Sequence, residues 1–379
     1  MVGSATMPVF WHKKMLEHNP PEGTFKFPKV DFLAESEPHP ERPERVANIK
    51  GVIEELLDEF TSCESARQAS RSELLRVHEP DHIDWVKTFS QNGGGRFEGT
   101  TTGGNEHTFD AARYASGAAV QAAQRTVETA SNVIPYALVR PPGHHAQSYQ
   151  PDGFCFFNNV AVAAESLIQT TNVESVAIID WDVHHGNGTQ EIFYDRDDIL
   201  LVSIHHDHGS WHPEYHPQTG TVTEHGVGSG EGYTVNIPTS TAVGNEGYTR
   251  IFDSVVEPIV SEYQPDVILV SAGQDSGIAD PNARNLVDRD GFQSMAATVR
   301  QYSEQYSDGN LAVIQEGGYQ PSHLAFATLG VFEGLLDTKI DLSSYGFDGD
   351  PFSWLEECHD PLNSRVEEAI NHHSTYWSL

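Results

Sequence analysis

Five short apolar runs constrain this chain more than any other feature: Tyr136–Val139, Val176–Ile179, Ile199–Ile204, Val267–Ser271 and Leu311–Gln315. Each is too short for a buried helix and reads as a strand. Helical patterns at Val160–Gln169, Tyr248–Tyr263 and Gly291–Tyr306 separate several of them. Apolar strands alternating with helices predict an α/β fold, a mainly parallel sheet with helices on both faces. A polar cluster follows every run. Pro141-Pro142-Gly143-His144-His145 follows the first, and Asp180-Trp181-Asp182-Val183-His184-His185-Gly186-Asn187 the second. Ser203-Ile204-His205 closes the third, Gly273-Gln274-Asp275 follows the fourth and Glu316-Gly317-Gly318-Tyr319 the fifth. Open α/β sheets bind ligands at the carboxyl ends of their strands. The five clusters are therefore predicted to converge on one edge of the sheet, as an active site.

The first third of the chain is less regular. Residues 1–38 are Pro-rich and irregular after a short strand near Pro8-Val9-Phe10. Pro40 and Pro43 fix the entry of a helical pattern from Val46 to Phe60. Further helical patterns run over Asp81–Phe89 and Phe109–Ala130, and the Gly-rich piece Asn92–Asn105 between them reads as a surface loop. The 379 residues are read as one domain, 1–379.

Charge narrows the setting. The chain carries 22 basic and 55 acidic residues, a net charge of −33, and lysine is nearly absent. The acids are spread along the chain rather than gathered in a tail. Such a surface repels itself in dilute buffer. At molar salt the Debye length falls to roughly 3 Å and the repulsion is screened. A halophilic origin is therefore expected, and direct affinity for nucleic-acid phosphate is not. Cys63, Cys155 and Cys358 are scattered, so neither a disulfide framework nor a Cys-based zinc site is expected, which fits a reducing cytoplasm. Neither a signal peptide nor a membrane span is read from the sequence.

Within the clusters, Asp182 and His184 stand two apart in one loop, a spacing that lets a carboxylate and an imidazole converge on one divalent ion. Gly186 and Gly188 are expected to turn the backbone tightly away from it. Asp275 completes a three-ligand set, the pattern that leaves a position open for water and substrate. Taken alone, Asp275 also reads as a helix N-cap. The tandem His144-His145 offers a base and an acid beside a metal. Each ring needs a partner on its other nitrogen, and Asp180 and Asn187 are the candidates. Tyr319 reads either as a phenol aimed at the same metal, where it would stabilise an oxyanion, or as a packed tyrosine on a turn. Phe154 reads as a channel wall or as core. His205, His206, His208, His212, His216 and His225 read as a His-rich loop, either a second metal site or rim residues.

These motifs resemble the zinc-dependent histone deacetylase family, which includes acetylpolyamine amidohydrolases and bacterial deacetylase-like amidohydrolases. The resemblance runs from His39 to Tyr319. It rests on Pro-Glu-Arg-Pro-Glu-Arg, Arg-Pro-Pro-Gly-His-His, Gly-Phe-Cys-Phe-Phe-Asn-Asn, Asp-Trp-Asp-Val-His-His-Gly-Asn-Gly-Thr, Ser-Ala-Gly-x-Asp-Ser and Gln-Glu-Gly-Gly-Tyr. Asn187, where other members carry Asp, resembles the class II branch. The resemblance implies an arginase-like fold and one catalytic zinc on Asp182, His184 and Asp275. It makes His144 and His145 the acid–base pair, Tyr319 the carbonyl-polarising group and Phe154 a wall of the acyl-lysine tunnel. It also implies one or two structural potassium ions. The first would be held by Asp180, Asp182, His184, Ser203 and the carbonyl of Ile204. The second would lie near Phe193, Arg196, Ile199 and Tyr233. Three positions depart from the family pattern. His212 stands where a second tunnel aromatic is usual, Gln274 where Phe precedes the zinc Asp, and Asn282 where Leu is usual and Glu marks polyamine preference. They imply a more polar substrate channel.

The expected activity is hydrolysis of an acetyl amide, with acetylated lysine in protein or a small acetylated amine such as an acetylpolyamine as substrate. A two-manganese ureohydrolase of the same fold would need further Asp ligands, and the tandem histidines speak against it. A non-catalytic acyl-lysine binder would not need the metal ligands, both histidines and Tyr319. The long loops at 16–38 and 205–231 form either a rim or the interface of a homo-oligomer.

Overall fold

The apolar runs pair into one eight-stranded sheet, ordered β2-β1-β5-β10-β9-β6-β7-β8, in which every neighbouring pair is parallel. The strands are β1 (Met7–Trp11), β2 (Thr61–Ser65), β5 (Tyr136–Ala137), β6 (Val176–Asp180), β7 (Ile199–His206), β8 (Thr234–Thr239), β9 (Val267–Ala272) and β10 (Leu311–Gln315). A separate antiparallel pair, β3 (Gly94–Arg96) and β4 (Gly103–Asn105), occupies the Gly-rich stretch expected to be only loop. The computed structural model describes residues 7–23, 32, 34, 37–97, 101–128, 133–207, 218–347 and 349–352. It divides into two compact units, Met1–Ile340 and Asp341–Leu379. The sheet belongs to the first. In the second, the described residues include a short 3-10 turn, Ser343–Tyr345.

The helices are α1 (Glu44–Leu56), α2 (Arg71–Leu74), α3 (Pro80–Gln91), α4 (Thr108–Glu128), α5 (Asn159–Thr170), α6 (Asn187–Phe193), α7 (Asn245–Ile251), α8 (Glu257–Tyr263), α9 (Arg289–Tyr306) and α10 (Pro321–Leu336). Alternate strand residues point to opposite faces. Val176 and Ile178, Ile199 and Leu201, Val267 and Leu269, and Ala312 and Ile314 thus share one core cluster with the Ala-rich α4 and with α5. The small alanines let α4 lie close to the sheet. On the other face Tyr136 stacks on Phe332 of α10, with ring centroids 4.7 Å apart. The expected helix over 248–263 is an unbroken helical run in which α7 and α8 are joined by a π segment, Phe252–Val256, just before Pro258. A proline cannot donate its backbone hydrogen bond, so the hydrogen-bond ladder is adjusted there.

The central strands β5, β10, β9 and β6 lie side by side, so the segments leaving them are neighbours. Hydrogen bonds continue the sheet past its formal end: Trp181 N to Ser271 O at 3.2 Å, Gln274 N to Gly317 O at 3.1 Å, and Glu316 N to Ala272 O at 3.1 Å. The polar clusters are thereby held on a rigid edge rather than on free loops.

Candidate metal centre

Asp180 is the last residue of β6, level with Ser203 on β7 and Ser271 on β9. The chain then turns and brings Asp182 and His184 beneath Asp275, which follows β9. One ligand atom from each of these three buried residues lies within 4.8 Å of the others. His184 Nδ1 is 3.1 Å from Asp182 Oδ1 and 2.8 Å from Asp275 Oδ2. Asp275 is no helix cap; its Oδ1 accepts from Val183 N at 2.9 Å. Gly317 N donates to Asp182 Oδ2 at 2.8 Å. Two glycines make the room. A Cβ on Gly273 would come within 2.1 Å of Asp182 Oδ2, and one on Gly317 within 2.3 Å of Asp275 Oδ2. Gly186 and Gly188 serve closeness too, and Gly186 also makes the expected tight turn, closed by Asn187 N to His185 O at 2.8 Å. Gly186 has an ordinary negative φ, and a Cβ there would press on Asp180 Oδ2 at 2.5 Å. A Cβ on Gly188 would meet Ala146 O at 2.3 Å.

The donor set fits a divalent ion. Asp275 Oδ2 is buried and faces His184 Nδ1 at 2.8 Å, and that nitrogen carries at most one hydrogen to share between two carboxylates. A buried charge cluster of this kind is stable only when paired or bound to metal. Burial alone would lower the pKa of His184, but the charge of Asp275 and hydrogen bonds from its ring to both carboxylates raise it to about 10. A cation is thus favoured between the carboxylates, and one imidazole with two carboxylate oxygens suits zinc.

The tandem histidines stand beside this centre, their ring centroids 4.0 Å apart. His144 Nδ1 lies 3.0 Å from Asp180 Oδ2, and its Nε2 3.7 Å from Asp182 Oδ1. Burial opposes a charge on His144, yet Asp182 and Asp180 raise its pKa well above the ordinary 6.5. His145 Nδ1 faces Asn187 Oδ1 at 2.6 Å. Glu316 Oε2 accepts from Gly143 N at 2.6 Å and His144 N at 3.3 Å, tying the segment after β5 to the end of β10. Burial pushes the Glu316 carboxyl up to about 8.

Tyr319 is 5% exposed, and burial pushes its phenol well above its usual pKa of 10. Its ring meets Phe154 edge-on at 5.5 Å and lies 6.4 Å from the His184 ring. The Arg45 guanidinium of α1 lies over the ring, 4.7 Å from its centroid. The same guanidinium donates to Gly318 O, to Glu316 O at 2.6 Å and to Glu41 Oε1 at 3.0 Å. Glu41 also receives Arg140 Nε at 2.7 Å and lies 3.2 Å from His18 Nε2, all with fully buried side chains. Asp280 takes Tyr319 N at 2.6 Å and Asn282 N at 2.8 Å.

Other expected residues fall differently. Phe154, at φ 73°, packs edge-on against both His39 and Tyr319. Asn282 is half-buried on the Asp280 loop. Gln274, expected to make the channel polar, turns into the core. It is fully buried, its Nε2 bonds Ala272 O at 3.0 Å and its Oε1 accepts from Gln315 at 2.6 Å, because a buried amide must be satisfied. Ser203 Oγ pairs with His205 Nδ1 at 3.0 Å, and Ile204 is buried beside it in β7. His205 and His206 belong to that strand rather than to a His-rich loop, and His205 is buried against Gly220 O at 2.8 Å. His208, His212 and His216 lie outside the described residues. Arg45, Glu41, Asp280 and Glu316 were not singled out from the sequence. Arg45 and Glu41 sit in the Pro-Glu-Arg-Pro-Glu-Arg motif, which names them only once their distant partners are known.

A parallel α/β sheet carrying a buried Asp-His-Asp site at its carboxyl edge defines a metal-dependent hydrolase type. The histone deacetylase domain matches residues 39–335, and the chain belongs to that family. It is 35% identical to "Histone deacetylase 8" of Arabidopsis thaliana over 97% of this chain and 96% of that protein. It is 36% identical to a "Probable deacetylase" of Archaeoglobus fulgidus, over 90% of this chain and 95% of the relative. With the "Histone deacetylase-like amidohydrolase" of Pseudomonas aeruginosa it shares 37% identity, over 78% and 77% of the two chains. The solved HDA15 HD domain superposes with a TM-score of 0.76 at 35% identity, over 87% of this chain and 91% of that one. Family and site together support metal-dependent, deacetylase-like hydrolysis. Among the described residues no helix is long and apolar enough to cross a membrane.

Proposed function

We propose that this chain is a zinc-dependent deacetylase that releases acetate from acetylated lysine. One observation carries the reading: the Asp-His-Asp set, two buried histidines with oriented rings and a neutral tyrosine meet at one sheet edge. Asp182, His184 and Asp275 would hold the zinc, which would supply Lewis acidity toward water and a carbonyl. His145, with Nδ1 bonded to Asn187, presents Nε2 to take a proton from the attacking water. The Tyr319 phenol stays protonated and donates to the carbonyl oxygen as negative charge develops on it. When the C–N bond breaks, protonated His144 or His145 gives its proton to the departing amine. Phe154 and Tyr319 exclude water from the acyl chain.

The reading extends to a cytoplasmic, single-domain enzyme working at high salt, with potassium near Asp180, Ser203 and Ile204. Its supports are the −33 charge and the level placement of Asp180 and Ser203 in β6 and β7. The test is turnover in molar potassium chloride of an acetyl-lysine peptide and of acetylputrescine, with and without a zinc chelator, for the wild type and Tyr319→Phe. Chelator-sensitive turnover of the peptide is expected, with kcat about 10²- to 10³-fold lower in the variant. Preference for acetylputrescine would move the substrate to small amines. Unchanged turnover in Tyr319→Phe would overturn the mechanism.

A further inference from the structure

The two catalytic-site imidazoles have unlike partners, a carboxylate for His144 and an amide for His145. A carboxylate has no wrong way round. An amide does, since its oxygen accepts and its nitrogen donates. If the Asn187 amide were reversed, its NH2 would face His145 Nδ1. That nitrogen would then be an acceptor, and the ring proton would sit on Nε2, where a base must be empty. Something must fix the amide.

Asp152 is in place to do so. It is 3% exposed, in the turn before Phe154. Its Oδ1 accepts from Gly153 N at 2.9 Å, which pins the carboxylate. Its Oδ2 accepts from Asn187 Nδ2 at 3.3 Å. Asp152 and Cys155 also exchange backbone hydrogen bonds at 3.1 and 2.7 Å, so the carboxylate rides on a closed turn. A carboxylate accepts and does not donate. A reversed amide would set its oxygen against the Asp152 carboxylate. The His145 carbonyl, 3.5 Å from Asn187 Nδ2, adds a weaker bias of the same sign.

We propose that Asp152 is a positioning residue that holds the Asn187 amide with its oxygen toward His145, and so keeps His145 in the tautomer with Nε2 free to accept a proton. The inference rests on the deacetylase reading for its kinetic consequence but not for its spectroscopic one. In Asp152→Asn the carboxylate becomes an amide that can face Asn187 either way, and the selection is lost.

The experiment is 15N NMR of histidine-labelled, zinc-loaded protein in molar potassium chloride, with His145 assigned by the loss of its signals in His145→Gln. Turnover of the acetyl-lysine peptide is measured on the same samples. The wild type should show His145 protonated at Nδ1 and bare at Nε2. Asp152→Asn should show mixed tautomers and a kcat roughly tenfold lower at little-changed KM. The effect should reverse sign beside Asn187→Asp, where no amide needs orienting and two carboxylates face each other. There, adding Asp152→Asn should raise kcat several-fold by removing the like-charge contact. A merely structural Asp152 would lower activity in both backgrounds. The same loss in both, or an unchanged Nδ1–H tautomer in Asp152→Asn, overturns the proposal. A wild type with the expected tautomer but no turnover would refute the deacetylase reading and leave the positioning role standing.

Discussion

His144 and His145 at the strand ends and His78 and His82 around the start of α3 are two pairs of neighbouring imidazoles with opposite chemistry. The centroids are 4.0 Å apart in one pair and 5.0 Å in the other, and no ring belongs to a residue more than 3% exposed. The α3 pair hydrogen-bonds to backbone: His78 Nδ1 donates to Gln147 O at 3.0 Å and its Nε2 accepts from Asn158 N at 2.9 Å. His82 Nε2 donates to Phe156 O at 2.7 Å. No carboxylate raises these two rings as Asp182 and Asp180 raise His144, so burial dominates. It drives His78 well below 6.5, helped by His82, and His82 to about 4. At the strand ends burial acts the same way on His144 but loses to Asp182 and Asp180. Burial therefore does not decide what a histidine is for; the charge of its neighbours does. The α3 pair is a neutral clamp, and His78 closes both ends of the segment that carries Phe154.

The sharpest way to break this contrast is to remove one imidazole from each pair. His145→Ala should lose about 10²- to 10⁴-fold in kcat/KM while keeping its zinc. His82→Gln should stay within a few-fold of wild-type turnover and lose about 1–3 kcal/mol of stability through lost ring packing on Phe157 and a weakened bond to the Phe156 carbonyl. Peptide turnover, metal content and chemical denaturation on both proteins decide it, and similar kinetic losses would erase the distinction.

A smaller effect comes from making the strand-end pair resemble the other. Asp180→Asn leaves His144 with a neutral partner, and kcat should fall roughly 10- to 100-fold. A kcat equal to that of the wild type would mean that the carboxylate is dispensable to His144.

The smallest effect separates the pairs by pH. His82 has a folded pKa of about 4, below its ordinary 6.5. Above 6.5 it is neutral in both states and its burial costs nothing in protons. As pH falls from 6.5 toward 4 the unfolded chain takes up a proton that the folded chain refuses, so stability falls across that window. The loss for His82 is on the order of 3 kcal/mol at most. His18 and His205, also held at about 4 by burial, add to the same slope. Denaturation between pH 7.5 and 4.5 should show His82→Gln losing less stability than the wild type. Parallel curves would contradict the neutral-clamp reading.

The sheet's centre was legible and its edges were not. β6, β9 and β10 are buried on both faces and read as unbroken apolar runs. β2, Thr61-Ser62-Cys63-Glu64-Ser65, and β8, Thr234–Thr239, lie at the sheet edges, face solvent in part and are polar enough to pass for loop. α10 was missed for the opposite reason. It is buried along nearly all its length between α1 and α9, so it has no polar stripe and its 3.6-residue period is invisible. α6 was hidden inside the Asp/His motif, where Asn187 both opens the helix and faces His145.

What the sequence alone determined was the alternation of strand and helix and the list of chemically able residues at the strand ends. Both follow from local pattern, since period and strand termini are properties of neighbouring residues. Only the tertiary structure decided which of 20 histidines stand among carboxylates. It also turned Gln274 inward and made Glu41 and Arg45 supports of the Tyr319 turn, across 273 residues from Arg45 to Gly318. Electrostatics and close packing act through space, and the order of strands in the sheet, not their order in the chain, sets which groups are near enough to feel one another.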